Sequence, residues 1–207
     1  VKMDLFRRYG ALGAAGDRHL AEFMNGSWYL GSPENVNQWG FHLTTVAFRK
    51  QRQEERIKET RRLADGTLLV KPARSDEELV NLLKALMGLG TVVSNVNLPN
   101  RGQMPSMPKG SVVETNCVFS HGSVKPIAAM PLPKAVDALV GRACANVEAL
   151  YDGIARRDLE AVFAAFLDQP LCAPLSIDAG RRLFCAMAEA TRSCLDPFYE
   201  LDDVLKS

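Results

Sequence analysis

One stretch of this chain changes its period, and that change limits the fold more than any other feature. Apolar residues recur at helical spacing through much of the sequence. In TVVSNVNLP (91–99) and SVVETNCVF (111–119) they alternate instead. Alternation sends successive side chains to opposite faces of a strand. The connection between the runs is rich in Gly, Pro and Asn, so the pair reads as a small antiparallel element set among helices. The predicted class is α+β, helix-rich with a small antiparallel sheet. Strand parity places Val93, Asn95 and Asn97 on one face, and Val92, Val96 and Leu98 on the other. It likewise groups Glu114 with Asn116, and Val113 with Cys117 and Phe119. A hairpin centred near Pro105 would set Asn95 opposite Asn116 and Asn97 opposite Glu114. Amides and a carboxylate on one face cost about 1–3 kcal/mol for each buried group left unsatisfied. They therefore need water, one another or a polar ligand, and a wet face and a sugar-binding face both remain open. Asn100-Arg101-Gly102 is a turn signal, with the glycine free to take positive φ.

The helical segments follow from spacing and caps. Met3 to Tyr9 has helical spacing, which the glycines at 10, 13 and 16 then break. Asp17 is expected to cap a short helix over 18–24. Residues 25–40, with Asn-Gly, Gly-Ser-Pro and several aromatics, read as an ordered loop. A long helix is expected over 41–63. Its middle, RKQRQEERIKETRR, mixes both charges, with Glu54 and Lys58 well spaced for pairing, and so reads as a solvated face. Ser75 with Glu78 forms a capping box for a helix to Met87. Later helices are expected over 134–155, from a cap at Asp158 to Leu167, and from Ser176 to Leu195, closed by Asp196-Pro197.

Totals exclude several function classes. With 207 residues the chain suits one domain with a substantial core. A formal net charge of +1 argues against a sequence-independent nucleic-acid surface. No apolar run is long enough to cross a bilayer, and residues 1–10 carry no signal-peptide pattern. Five cysteines, none in a Cys-x-x-Cys pair, read as reduced thiols, which points to the cytoplasm. Cys117 and His121 lack a third ligand in spacing, so no metal site is expected from them.

Three groups of residues are candidates for chemistry. In YGALGAAGDRHLAEF the glycine spacing is Gly-x-x-Gly-x-x-Gly and follows a helix, so it is not a dinucleotide fingerprint. It reads as an elbow delivering Asp17, Arg18 and His19 to a helix start. An anionic ligand could bind there and a carboxylate could act as base; equally, Asp17 could simply cap and Arg18 simply be solvated. The polar strand face is the second group. The third is Trp28, Tyr29 and Trp39, which stack on a sugar or pin the loop to the core.

Together these blocks resemble the C-terminal part of family 4 glycoside hydrolases. The resemblance rests on RYGALGAAGDRHLAEFM, then GLGTVVSNVNLPNRGQMPSMPKGSVVETNCVF with its Val-Asn-x-Pro-Asn turn and Val-Val-Glu, then VKPIAAMPLP. RRDLEAVFAAFLDQPLCAPLS and MAEATR fit the closing helices. The Gly-Asp-Arg-His-Leu-Ala-Glu-Phe form of the first block looks most like the α-galacturonidase branch. The resemblance implies one domain over 1–207, the substrate-side half of a lactate and malate dehydrogenase-like architecture laid against a Rossmann domain.

It also implies a hydrolysis by oxidation, elimination, addition and reduction, outside the usual two-carboxylate pattern. In such enzymes NAD oxidises the sugar at carbon 3, a divalent metal, usually manganese, polarises the new carbonyl, and a base takes the proton at carbon 2. Carried over by position, the base would be Asp17, with Tyr9 as second choice. Arg18 and His19 would face the substrate, an arginine suiting a uronate carboxylate. Asn95, Asn97 and Asn100 would wall the pocket. The family's Gly-x-Gly-Ser loop, its Cys-His segment and its later His ligand have no counterpart here. The sites for NAD and Mn²⁺ are thus expected on a missing Rossmann half or another subunit, with self-association through the face left open. On that footing the chain is inactive alone. The alternatives are a non-catalytic binding or assembly module that keeps the fold, and, less well matched, a dehydrogenase substrate domain.

Overall fold

The computed structural model describes residues 1–71, 73 and 77–195. Ten α-helices and three strands are placed among them, an α+β, helix-rich arrangement with a small antiparallel sheet. The chain falls into two compact units. One comprises residues 1–41, 95–116 and 127 onward; the other comprises 42–94 and 117–126.

The first unit opens with α1 (Lys2–Tyr9), closed by Gly10 at φ +69°, a left-handed cap that glycine adopts without penalty. Next comes α2 (Asp17–Glu22), whose N-cap is Gly16 with no side-chain cap bond. The expected capping role of Asp17 is therefore corrected. Its carboxylate accepts instead from the backbone N–H of Lys2 at 2.7 Å, and so satisfies an unpaired donor at the start of α1.

Residues 25–40 are two short helices and not a loop: α3 (Gly26–Tyr29) and α4 (Pro33–Gln38). Asn25 and Ser32 cap them by accepting from Ser27 N at 3.0 Å and Asn35 N at 3.2 Å, and Pro33 supplies the preset φ of a first turn. The apolar faces of α1 to α4 meet in one cluster of Val1, Leu5, Ala21, Met24, Tyr29, Val36 and Phe41, with Leu139 packed against it. Tyr29 lies edge-on to Trp39, centroids 4.9 Å apart, so these two aromatics pin the segment to the core.

In the second unit, α5 (Val46–Ala64) begins at a Thr45 cap, five residues later than the expected start at 41, and buries no residue, as its mixed charge implied. The next helix, α6 (Leu79–Leu86), ends before Gly88 at φ +81°. The Ser75 cap predicted for it falls outside the described residues.

The sheet runs β1 (Thr91–Pro99), β2 (Val112–Ser120) and β3 (Ser123–Pro126) in that order. Beta3, absent from the sequence reading, pairs antiparallel with β2 from Cys117 opposite Pro126 to Ser120 opposite Ser123. It was hidden because its turn is only His121-Gly122, both at positive φ, the geometry that a two-residue hairpin demands.

Back in the first unit, α7 (Lys134–Arg156) packs on α8 (Leu159–Leu167), which Asp158 caps as expected. Gly153 is the reason they approach closely, since a Cβ there would lie 3.0 Å from both the backbone N and Cγ2 of Val162. The expected helix from Ser176 to Leu195 is two pieces, α9 (Ile177–Ala190) and α10 (Arg192–Leu195). Thr191 parts them, with its hydroxyl turned back to donate to Met187 O at 2.9 Å. The closing Asp196-Pro197 lies outside the described residues.

Candidate functional site

The two residues proposed as a base stand at opposite ends of one helix. Tyr9 is the last residue of α1, and Asp17 binds the N–H of Lys2 at its first turn. At the helical rise per residue those ends are about 10 Å apart. Asp17 is held below the usual carboxylate range, first because the Lys2 N–H stabilises its charged form, against a smaller opposing effect of burial. Arg18 and His19 follow on α2. Arg18 Nη2 lies 3.5 Å from His19 Nε2, and His19 Nδ1 lies 3.3 Å from Glu22 Oε2.

Within the first unit, Asp4 of α1 joins a guanidinium of its own helix and a phenol of α3. It accepts from Arg8 Nε and from the Tyr29 hydroxyl, each at 2.7 Å. Arg8 holds the Asp4 carboxyl below its ordinary range, and burial, with the bond to Asp4, pushes the Tyr29 hydroxyl up to about 12. Tyr29 is thus a fixed donor that ties α3 to α1.

The strand asparagines divide in role. Asn95 and Asn97 share one face of β1, as parity predicted, and that face is exposed. Asn95 donates its amide to Glu114, the carboxylate expected opposite Asn97. Asn100 is different, being only 2% exposed. Its amide nitrogen donates to Met104 O and Met107 O at 2.8 Å and Pro108 O at 3.2 Å. Its oxygen accepts from Gly102 N at 3.0 Å and Met104 N at 3.1 Å. Every polar atom of that side chain is spent on organising the turn.

Tyr9 lines a cleft of about 220 Å³ within the first unit. Phe23, Asn25 and Trp28 form one wall, Arg142 and Asn146 of α7 a second, and Gln169 and Pro170 a third. Asp168 fixes the second wall by accepting from Arg142 Nη2 at 3.1 Å, while buried Asn146 donates to Ala165 O at 2.7 Å and accepts from Gln169. Sequence reasoning missed this cleft, apart from Tyr9 and Trp28. One signal was available: Leu139, Arg142, Ala143 and Asn146 follow the i, i+3, i+4, i+7 stripe of a core-facing helix, and two of the four are polar.

Among the described residues no three His, Cys, Asp or Glu side chains converge as metal ligands, and all five cysteines are free. The loop of Gly10, Gly13 and Gly16 joins helix to helix, whereas a pyrophosphate cradle needs a strand before it. No described helix is long and apolar enough to cross a membrane.

Residues 1–172 match the family described as the family 4 glycosyl hydrolase C-terminal domain. Over 95% of its length the chain is 45% identical to an alpha-galacturonidase of Thermoanaerobacterium saccharolyticum, and over 83% it is 47% identical to one of Bacillus subtilis. It spans 42% and 37% of those two relatives. A solved Bacillus subtilis structure described as a glucosidase superposes with a TM-score of 0.80 at 44% identity, over 90% of this chain and 42% of that one. A 6-phospho-alpha-glucosidase from gut microorganisms, solved with NAD and Mn²⁺, shares the fold at 19% identity, with a TM-score of 0.60 over 80% of this chain and 38% of that one.

Proposed function

Because the chain belongs to the family 4 glycosyl hydrolases, as their C-terminal domain, we propose that it is the substrate-side part of an α-galacturonidase. Identity of 45% and 47% over most of this chain to enzymes of that name carries the reading. Their substrate class, an α-galacturonide, is proposed for the whole enzyme, together with NAD and Mn²⁺, which accompany the fold in a related structure. In this reading both cofactors are held with the part of the enzyme that the chain does not span, and the chain is inactive by itself.

What these residues do in this reading is hold the sugar and handle a proton. Tyr9 is proposed as the base, since it lines the cleft while Asp17 is engaged at the start of α1. Arg18 and His19, on α2, are proposed to face the substrate, and Asn95 and Asn97 to form a wet wall. Asn100 holds the turn beside them.

The test is reconstitution. The chain is combined with the portion of a galacturonidase relative that it does not span, and association is verified by light scattering. Turnover of an aryl α-galacturonide is then measured with NAD, Mn²⁺ and a reducing agent. Turnover by the pair and by neither part alone is expected. A stable pair with no turnover would overturn the assignment and leave an assembly module.

A further inference from the structure

We infer that a second cleft, between the β1–β2 connection and α7, binds a small organic cation: a protonated amine on an apolar body, with Glu148 and Glu114 taking the charge. The inference goes beyond the galacturonidase reading and does not rest on it, since an acidic sugar would meet two carboxylates there.

This cleft lies within the first unit and holds about 660 Å³, inside the roughly 300–1,000 Å³ range of ligand sites. Three observations say what fits it. The first is charge. Glu114 and Glu148 line the cleft, and no Lys, Arg or His does. Glu148 accepts from the Ser111 hydroxyl at 2.8 Å and Glu114 from the Asn95 amide, each through Oε1. Both partners are neutral, and among the described residues neither carboxylate has an ion pair and neither Oε2 has a hydrogen bond. Two uncompensated negative charges on apolar walls draw in a cation and repel an anion.

The second is the surface between those charges. Val140, Cys144, Val147 and Tyr151 fall at i, i+4, i+7 and i+11 on α7, which is one helix face. Yet Val147 is 64% and Tyr151 70% exposed, as is Val112 of β2 at 66%. Apolar groups left open along a cleft favour a ligand with an apolar body, and the Tyr151 ring offers a π face to an ammonium. The third is a shape set in advance. The connection is tied to α7 at two points, by the Ser106 hydroxyl donating to Asp137 and by Ser111 donating to Glu148. Between them Met107, 5% exposed, ends 3.9 Å from where a Cβ on Gly141 would stand, so the floor is packed before any ligand arrives.

The test titrates the 207-residue chain with 4-phenylbutylammonium chloride by calorimetry at pH 7 and low salt. Beside it run 4-phenyl-1-butanol and sodium 4-phenylbutyrate, which carry a like body without charge and with the opposite charge. Saturable binding of the amine at about 0.1–1 mM is expected, at least about fivefold tighter than the alcohol, with none of the carboxylate. Glu148→Gln, which keeps an acceptor for Ser111, weakens the amine about three- to tenfold and leaves the alcohol unchanged. Val147→Lys, at an exposed position, tethers an ammonium in the cleft and abolishes binding of the amine. Circular dichroism confirms folding of each variant, and Glu114→Gln replaces Glu148→Gln should that variant not fold. No saturable binding, equal affinity for amine and alcohol, or amine binding untouched by these substitutions overturns the inference. Failure of the reconstituted pair to turn over an α-galacturonide would sink the galacturonidase reading and leave this site standing.

Discussion

Asn100 shows how a single residue can be read correctly for position and wrongly for work. Its place beside Gly102 marked a turn, and Gly102 does take a positive φ of 117°. Nothing in a sequence says that the side chain would fold inward and make five hydrogen bonds, because that depends on where residues 104–108 return. Asn100→Ala would strand several buried donors and acceptors, and a loss of about 2–4 kcal/mol is expected, read as a lower urea midpoint at unchanged slope. Asp17 was misread in the opposite way, as a cap for its own helix when it serves the helix before. Its pKa is lowered in the folded chain, so the unfolded state binds a proton more readily. Its contribution is present above about pH 4 and is lost as pH falls through the depressed value. In a thermal-melt series from pH 7 to pH 2, Asp17→Asn is expected to flatten the acid limb relative to the unaltered chain. An unchanged acid limb would show that the bond to Lys2 contributes nothing.

At the level of elements, period and caps carried most of the reading. Helices α1, α7 and α8 and both long strands lie where spacing put them. The errors are local. Two four-to-six-residue helices hid inside what looked like loop, because their start signals, Asn25 and Ser32-Pro33, are also turn signals. Close packing of α7 on α8 was invisible, since a glycine inside a helix reads only as a weak point. In the fold Gly153 is the contact itself. Gly153→Ala should raise helix propensity yet destabilise by about 1–3 kcal/mol, because one of the two obstructing atoms, Val162 N, is backbone and cannot swing aside. A higher melting temperature in that variant would contradict the packing.

For the molecule as a whole, ordered blocks of sequence sufficed to identify the family, and the fold agrees with it. The cleft was not legible, since Tyr9, Trp28, Arg142 and Gln169 lie far apart in sequence and only tertiary folding gathers them. The two base candidates separate at this scale. In a reconstituted enzyme, Tyr9→Phe should lower kcat by about 10²–10⁴-fold with the fold intact. Asp17→Asn should act mainly through stability, with kcat recovered at lower temperature. The reverse pattern would restore Asp17 as the base.

The Asn100 turn also bears on time. Irregular chain between two strands commonly trades its amide protons with solvent quickly. Here the N–H groups of Gly102 and Met104 are held by Asn100, and that of Gly110 by its backbone carbonyl. Deuterium should therefore enter these positions as slowly as it enters the flanking strands. The bend between β1 and β2 is then a stiff corner, and a push on one strand is handed to the other.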